Sequence, residues 1–172
     1  MTAVQAPTGL ITLLGMTLMV APLATLGGCA GFQPLYGHGA LAADLSAISI
    51  QTPQTRTGFL LRQQLADELA LKKDVPARYR LSVTFDEVRR PRGLNLDDSP
   101  TRYELRLNLT YVLVEAATGK VMLKASKPVD VSTDSVVQPY ASIAAQQDAE
   151  QRAASQAAEM IRTDIAMTLA HE

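Results

Sequence analysis

Arg102-Tyr103-Glu104-Leu105-Arg106-Leu107-Asn108-Leu109-Thr110-Tyr111-Val112-Leu113 carries an apolar or aromatic side chain at every odd position and, as far as Thr110, a polar one at every even position. Residues 78–85 repeat the pattern, with Tyr79, Leu81, Val83 and Phe85 set against Arg78, Arg80, Ser82 and Thr84. Successive side chains of a strand point to opposite sides, so the alternation predicts two strands of a sheet with one face buried and one wetted. Whatever else the chain forms has to cover the buried face.

Working outward, Ala117-Thr118-Gly119-Lys120 reads as a hairpin connection to a third strand, Val121 to Val131. Pro128 cannot donate to a ladder, which predicts an edge or a bulge there. Upstream, Leu45-Ser46-Ala47-Ile48-Ser49-Ile50 is a short strand that stops before Pro53. From Thr57 to Lys73, Leu61, Leu65 and Leu69 recur every four residues, with Phe59 and Leu60 widening the stripe and Glu68 and Lys72 forming a favourable pair; Pro76 closes this helix. Residues 142–169 read as one long helix with Ala154, Ala158, Ile161, Ile165 and Leu169 on a stripe, the alanines allowing close approach to a sheet. The expected order is β-α-β-β-β-α. It is an α+β domain over residues 45–172, with two helices packed on one face of a four-stranded, mostly antiparallel sheet.

The first 28 residues contain no Asp, Glu, Lys or Arg. Leu10 to Leu26 form an apolar run that ends in Gly27 and Gly28, directly before Cys29, the one cysteine in the chain. The length and the small residues fit a removable export signal over 1–28, although no Lys or Arg precedes the run. A membrane anchor helix is the alternative, and a run of 17 residues broken by Pro22 is marginal for a span. Leu26-Gly27-Gly28-Cys29 resembles the lipobox, which makes Cys29 the expected lipid-bearing residue, since a lone cysteine has no internal disulfide partner. Residues 29–44, with Gly31, Pro34, Gly37 and Gly39, read as an irregular lipidated tether.

Charge is unevenly spread. Between Arg56 and Lys127 there are 14 basic and nine acidic residues; after Lys127 there are two basic and seven acidic ones. A basic middle suits an anionic partner met on one face. Catalysis finds no inventory: His38 and His171 have no companions at metal-ligand or nucleophile spacing, the acidic pairs Asp67-Glu68, Asp86-Glu87 and Asp97-Asp98 point apart in any regular element, and no glycine-rich phosphate loop follows a strand. No enzyme, no cofactor and no metal site is therefore expected. Nucleic acid is not the expected anion, because the whole chain carries net charge −1. Two basic features remain. Arg89, Arg90 and Arg92, with Leu94 and Leu96, read as a loop between the first two long strands, suited to a ligand with phosphates and acyl chains, or else a solvated basic turn. Arg78, Arg80, Arg102, Arg106 and Lys124, against Glu104 and Asp86, share the polar face of the sheet by parity. That face could bind an anion or be ordinary surface.

Three pieces resemble one family. Cys29-Ala30-Gly31-Phe32-Gln33-Pro34-Leu35-Tyr36-Gly37 is similar to the Cys-Gly-Phe-x-Pro-Leu-Tyr start of many lipopolysaccharide-assembly lipoproteins (LptE), with one extra residue after the cysteine. The order of elements agrees, and Tyr140-Ala141-Ser142 leading to Asp148-Ala149-Glu150-Gln151-Arg152-Ala153-Ala154 looks like the opening of the family's last helix. The resemblance implies a lipid-anchored, periplasm-facing protein of the outer membrane. Such a protein plugs and helps to fold the β-barrel LptD and binds lipopolysaccharide through basic residues. Ala30 after the lipidated cysteine is compatible with outer-membrane sorting. Arg89, Arg90 and Arg92 are the expected lipopolysaccharide contacts. An auxiliary lipoprotein of an ABC-type lipid transport system, or a structural lipoprotein with no ligand, would have a similar outline.

Overall fold

The computed structural model describes residues 39–96, 99–135 and 138–171. The expected signal, Cys29 and the first part of the tether lie outside them. Seven elements follow in order: α1 (Gly39–Ser46), β1 (Ile48–Gln51), α2 (Arg56–Glu68), β2 (Tyr79–Leu94), β3 (Pro100–Glu115), β4 (Val121–Asp134) and α3 (Pro139–Ala170). The four strands make one sheet in the order β1-β2-β3-β4. β1 runs parallel to β2, with Ile48 opposite Tyr79, while β2–β3 and β3–β4 are antiparallel. The α+β arrangement read from the sequence is the observed one.

The predicted parity holds along the long strands. Tyr79, Leu81, Val83, Leu105, Leu107, Leu109, Tyr111 and Leu113 are all buried. Over them lie Leu61 and Leu65 of α2 and Ala153, Ala154, Ala157, Ala158, Ile161 and Ile165 of α3, in one continuous core. The alanines leave no side chain to hold α3 away from the sheet. Burying such side chains contributes roughly 0.8 kcal/mol per CH₂.

Around α1, β1 and α2 the boundaries differ from expectation. Residues 39–46 are helical rather than irregular: after Gly39, the alanines and leucines at Ala40, Leu41, Ala42, Ala43 and Leu45 are good helix formers. Leu41 and Leu45, one turn apart, are both buried in the core. The first strand accordingly begins at Ile48 rather than Leu45. Helix α2 ends at Glu68 rather than Lys73. Its terminus is closed by Ala70 N–H bonding Asp67 O and Leu71 N–H bonding Ala66 O, with Ala70 at φ 49°, the paired-bond ending usually built on glycine. The N-terminus of α2 is capped by the Thr55 hydroxyl, which accepts from Gly58 N–H at 3.1 Å.

Polar contacts tie α3 down at both ends. Arg56 Nε donates to Glu150 Oε2 at 2.8 Å, and Glu150 is itself buried. Near the other end the Tyr111 hydroxyl donates to Asp164, which also accepts from Lys127 Nζ at 2.8 and 2.6 Å. Burial first, then the bond to Asp164 and its negative charge, push the Tyr111 phenol well above its ordinary range. No helix among the described residues is long and apolar enough to cross a membrane.

Candidate anion-binding face

The even-numbered side chains of β2, β3 and β4 along Arg80–Arg92, Arg102–Val112 and Lys124–Asp134 point away from the helices, and among the described residues no element covers them. At the end where β2 turns into β3 this open face is almost wholly charged. Its cross-strand rows read Arg92–Arg102–Asp134, Arg90–Glu104–Ser132 and Val88–Arg106–Asp130. Neighbouring strands are about 4.8 Å apart and same-face residues on one strand about 6.8 Å, so four guanidinium groups share one small patch.

Most of them are matched to carboxylates. Arg92 makes a two-pronged contact with Glu104, Nε to Oε2 at 3.1 Å and Nη2 to Oε1 at 3.0 Å. Arg106 does the same to Asp130, at 2.5 and 2.9 Å, and reaches Glu104 at 3.8 Å. Arg102 Nε donates to Asp134 Oδ1 at 3.3 Å. The Arg106 hydrogen bond, its charge and those of Arg92 and Arg90 hold the Asp130 carboxyl below the usual carboxylate range, against a partial desolvation that opposes them. Arg92 and Arg106 are raised in turn by their carboxylate partners. Among the described residues Arg90 makes no ion pair, although it stands exposed opposite Glu104.

The arginines expected in a loop are in a strand. β2 continues to Leu94, and the turn shrinks to residues 95–99, closed by Asn95 N–H to Ser99 O at 2.8 Å. Pro91 does not stop the strand, because β1 pairs only with Tyr79 to Ser82 and leaves the rest of that edge without a ladder. Tyr79 N–H points toward β1, bonding Ala47 O. Pro91 has the same parity, so its missing donor falls on the edge rather than against β3. Being in a strand also separates the three. Arg90 and Arg92 lie on the open face, whereas Arg89, opposite Leu105, turns to the helix side. There its guanidinium stacks over Tyr103 at 4.1 Å and donates to Gln146 Oε1 at 3.1 Å. It lines a cleft of about 270 Å³ with Tyr103, Ser142, Ile143 and Gln146. Leu96 at the turn is fully exposed.

The other basic set read from parity is likewise divided. Arg102 and Arg106 join Arg90 and Arg92. Lys124 lies far along the strand in the row of Ser82 and Val112, and Arg80 is beyond it. Arg78 precedes β2 and pairs with Asp44 of α1 at 2.6 Å. Sequence reasoning overlooked Asp130 and Asp134. The signal was present: continuing the parity of the third strand past Val129 places Asp130 on the polar face opposite Arg106.

The pattern of the LptE family, described as lipopolysaccharide-assembly, matches residues 45–165. The chain belongs to the LptE family. No curated protein matches it. Among solved structures, a putative lipoprotein from Caulobacter crescentus CB15 is 42% identical, with TM-score 0.67, covering 77% of this chain and 96% of that one. A minor lipoprotein from Acinetobacter baumannii shares the fold at 19% identity and TM-score 0.57, covering 72% of this chain and 92% of that one. The part matched by the LptE pattern takes in β1 to β4, the whole charged face and most of α3.

Proposed function

We propose that this LptE-family chain is an outer-membrane lipoprotein, anchored through Cys29 after removal of residues 1–28, that serves an LptD-type β-barrel as plug and folding aid and contacts lipopolysaccharide during its assembly at the cell surface. Membership of a lipopolysaccharide-assembly family supports the process. The observation that carries the contact is the open face at the β2–β3 end, where Arg90, Arg92, Arg102 and Arg106 stand together. Guanidinium forks take phosphate oxygens in pairs, and lipopolysaccharide is a phosphorylated glycolipid. Arg90 and Arg92 thus remain in the proposed contact. Arg89 is a neighbour of the cleft on the opposite face rather than a member of the patch.

The chemistry is binding, with no bond made or broken. An auxiliary lipoprotein of ABC-type lipid transport would share the α+β outline, and the LptE family match favours the first reading. The test is purification of the full-length lipoprotein in detergent. A β-barrel of the outer membrane that co-purifies with the wild type supports the partnership, and its absence rejects it. Fatty-acid labelling that disappears in Cys29→Ala supports the anchor; labelling that persists rejects it.

A further inference from the structure

The arginines of the open face are not bare. Each of Arg92, Arg102 and Arg106 is held by a carboxylate from the neighbouring strand, two of them by both prongs. Solvent-exposed pairs of this kind contribute little to folding. Their geometry has another property: the planar fork that grips two carboxylate oxygens is the fork that grips two phosphate oxygens.

We propose that Glu104 and Asp130 are internal stand-ins for ligand phosphate, so that a phosphorylated amphiphile binds by exchanging with them, beginning at Arg90. This rests on the lipopolysaccharide reading and specifies how that site is tuned. Arg90 has no ion pair among the described residues and faces Glu104 across the strands, next to Arg92 on its own strand. A phosphate docked on Arg90 faces Glu104, the carboxylate whose Oε1 lies 3.0 Å from Arg92 and 3.8 Å from Arg106. It takes those two guanidinium forks from Glu104 and Asp130, whose charges then repel the bound anion. Glu104 and Asp130 hold Arg92 and Arg106 in place beside the other two guanidinium groups in the empty protein, and they weaken the complex once it forms. A protein that passes its ligand on needs that weakness. A ligand with several phosphates can displace several carboxylates, whereas one with a single phosphate cannot.

The experiment titrates full-length lipoprotein in detergent with purified lipopolysaccharide, with the same material after enzymatic dephosphorylation, and with inorganic pyrophosphate as competitor. The variants are Asp130→Asn, Glu104→Gln and Arg90→Gln, with Asp148→Asn, paired to Arg152 on α3, as a control for net charge. The three carboxylate exchanges are near-isosteric, all four positions are exposed or half-buried, and thermal unfolding checks that each variant folds. Asp130→Asn and Glu104→Gln are each expected to tighten lipopolysaccharide by about twofold to fivefold. Arg90→Gln weakens it by a similar factor, and Asp148→Asn leaves it unchanged. Pyrophosphate competes better with those two carboxylate variants than with the wild type. Should those variants bind no tighter while Arg90→Gln still weakens binding, the stand-in role is overturned and phosphate recognition survives. Should dephosphorylated lipopolysaccharide bind every variant as well as the intact form, phosphate is not what the face reads, and both the stand-in role and the underlying assignment fail.

Discussion

Arg89 and Arg90 are consecutive in the chain and stand on opposite faces of the sheet, Arg89 opposite buried Leu105 and Arg90 opposite Glu104. Their substitutions should therefore separate cleanly. Arg89→Ala removes the stack on Tyr103 and the bond to Gln146, and is expected to lower unfolding stability by about 0.5–1 kcal/mol. Arg90→Ala touches no ion pair among the described residues and should leave the urea midpoint unchanged. In lipopolysaccharide titration the order reverses, with Arg90→Ala the weaker binder. Equal effects of the two on both measurements would contradict the placement.

The Tyr111–Asp164–Lys127 cluster predicts a base-sensitive fold. Tyr111 is raised in the folded state by burial and by Asp164. Below pH ~10 the phenol is protonated whether the chain is folded or not. Above that, only the unfolded chain releases the proton freely, so stability falls as pH rises. Unfolding followed from pH 8 to 11 should show this slope, and Tyr111→Phe should remove its tyrosine component. Asp164→Ala leaves the Tyr111 hydroxyl and Lys127 without their shared acceptor and is expected to cost about 2–3 kcal/mol.

Two backbone positions call for opposite substitutions. A Cβ on Gly58 would lie 2.1 Å from the Pro53 carbonyl oxygen, so Gly58→Ala forces the start of α2 off its cap. A loss of about 2 kcal/mol or more is expected, well beyond the loss of the Thr55 cap alone. Ala70, at φ 49°, occupies a left-handed conformation that costs a non-glycine residue about 1 kcal/mol. Ala70→Gly should raise the melting temperature, since glycine adopts that conformation without strain.

Leu107 tests the core. It is fully buried on the central strand β3, and Leu107→Ala should destabilise by about 2–5 kcal/mol. A loss under 1 kcal/mol would place Leu107 away from the packed face.

How much of this was legible follows from what each signal measures. Alternation reports which side of a strand is buried, and it placed Tyr79 to Phe85 and Tyr103 to Leu113 correctly. It says nothing about where a strand ends once its buried face runs out. Beyond Phe85 the helix-side positions of β2 are Glu87 and Arg89. They are polar because they reach Thr57 and Gln146 rather than a full core. The apolar rhythm is lost there while the pairing continues, and a proline strengthened the impression of a loop. The tether reading erred for a related reason. Gly37 and Gly39 suggested irregular chain, but Leu41 and Leu45 form a single buried pair, too short to show as periodicity. The binding patch was half visible. Parity grouped Arg102 with Arg106, while Arg90 and Arg92 could join them only once the length of β2 was known.

The parallel pairing of β1 with β2 bears on the order of assembly. β2, β3 and β4 are consecutive and joined by short turns, so they can zip together as soon as they exist. β1 has to wait for a partner that lies beyond the whole of α2, and closing that longer loop is slower. Residues 48–51 thus precede β2 to β4 in the chain and pair after them. Until β2 to β4 have formed, Ile48 to Gln51 have no ladder to join.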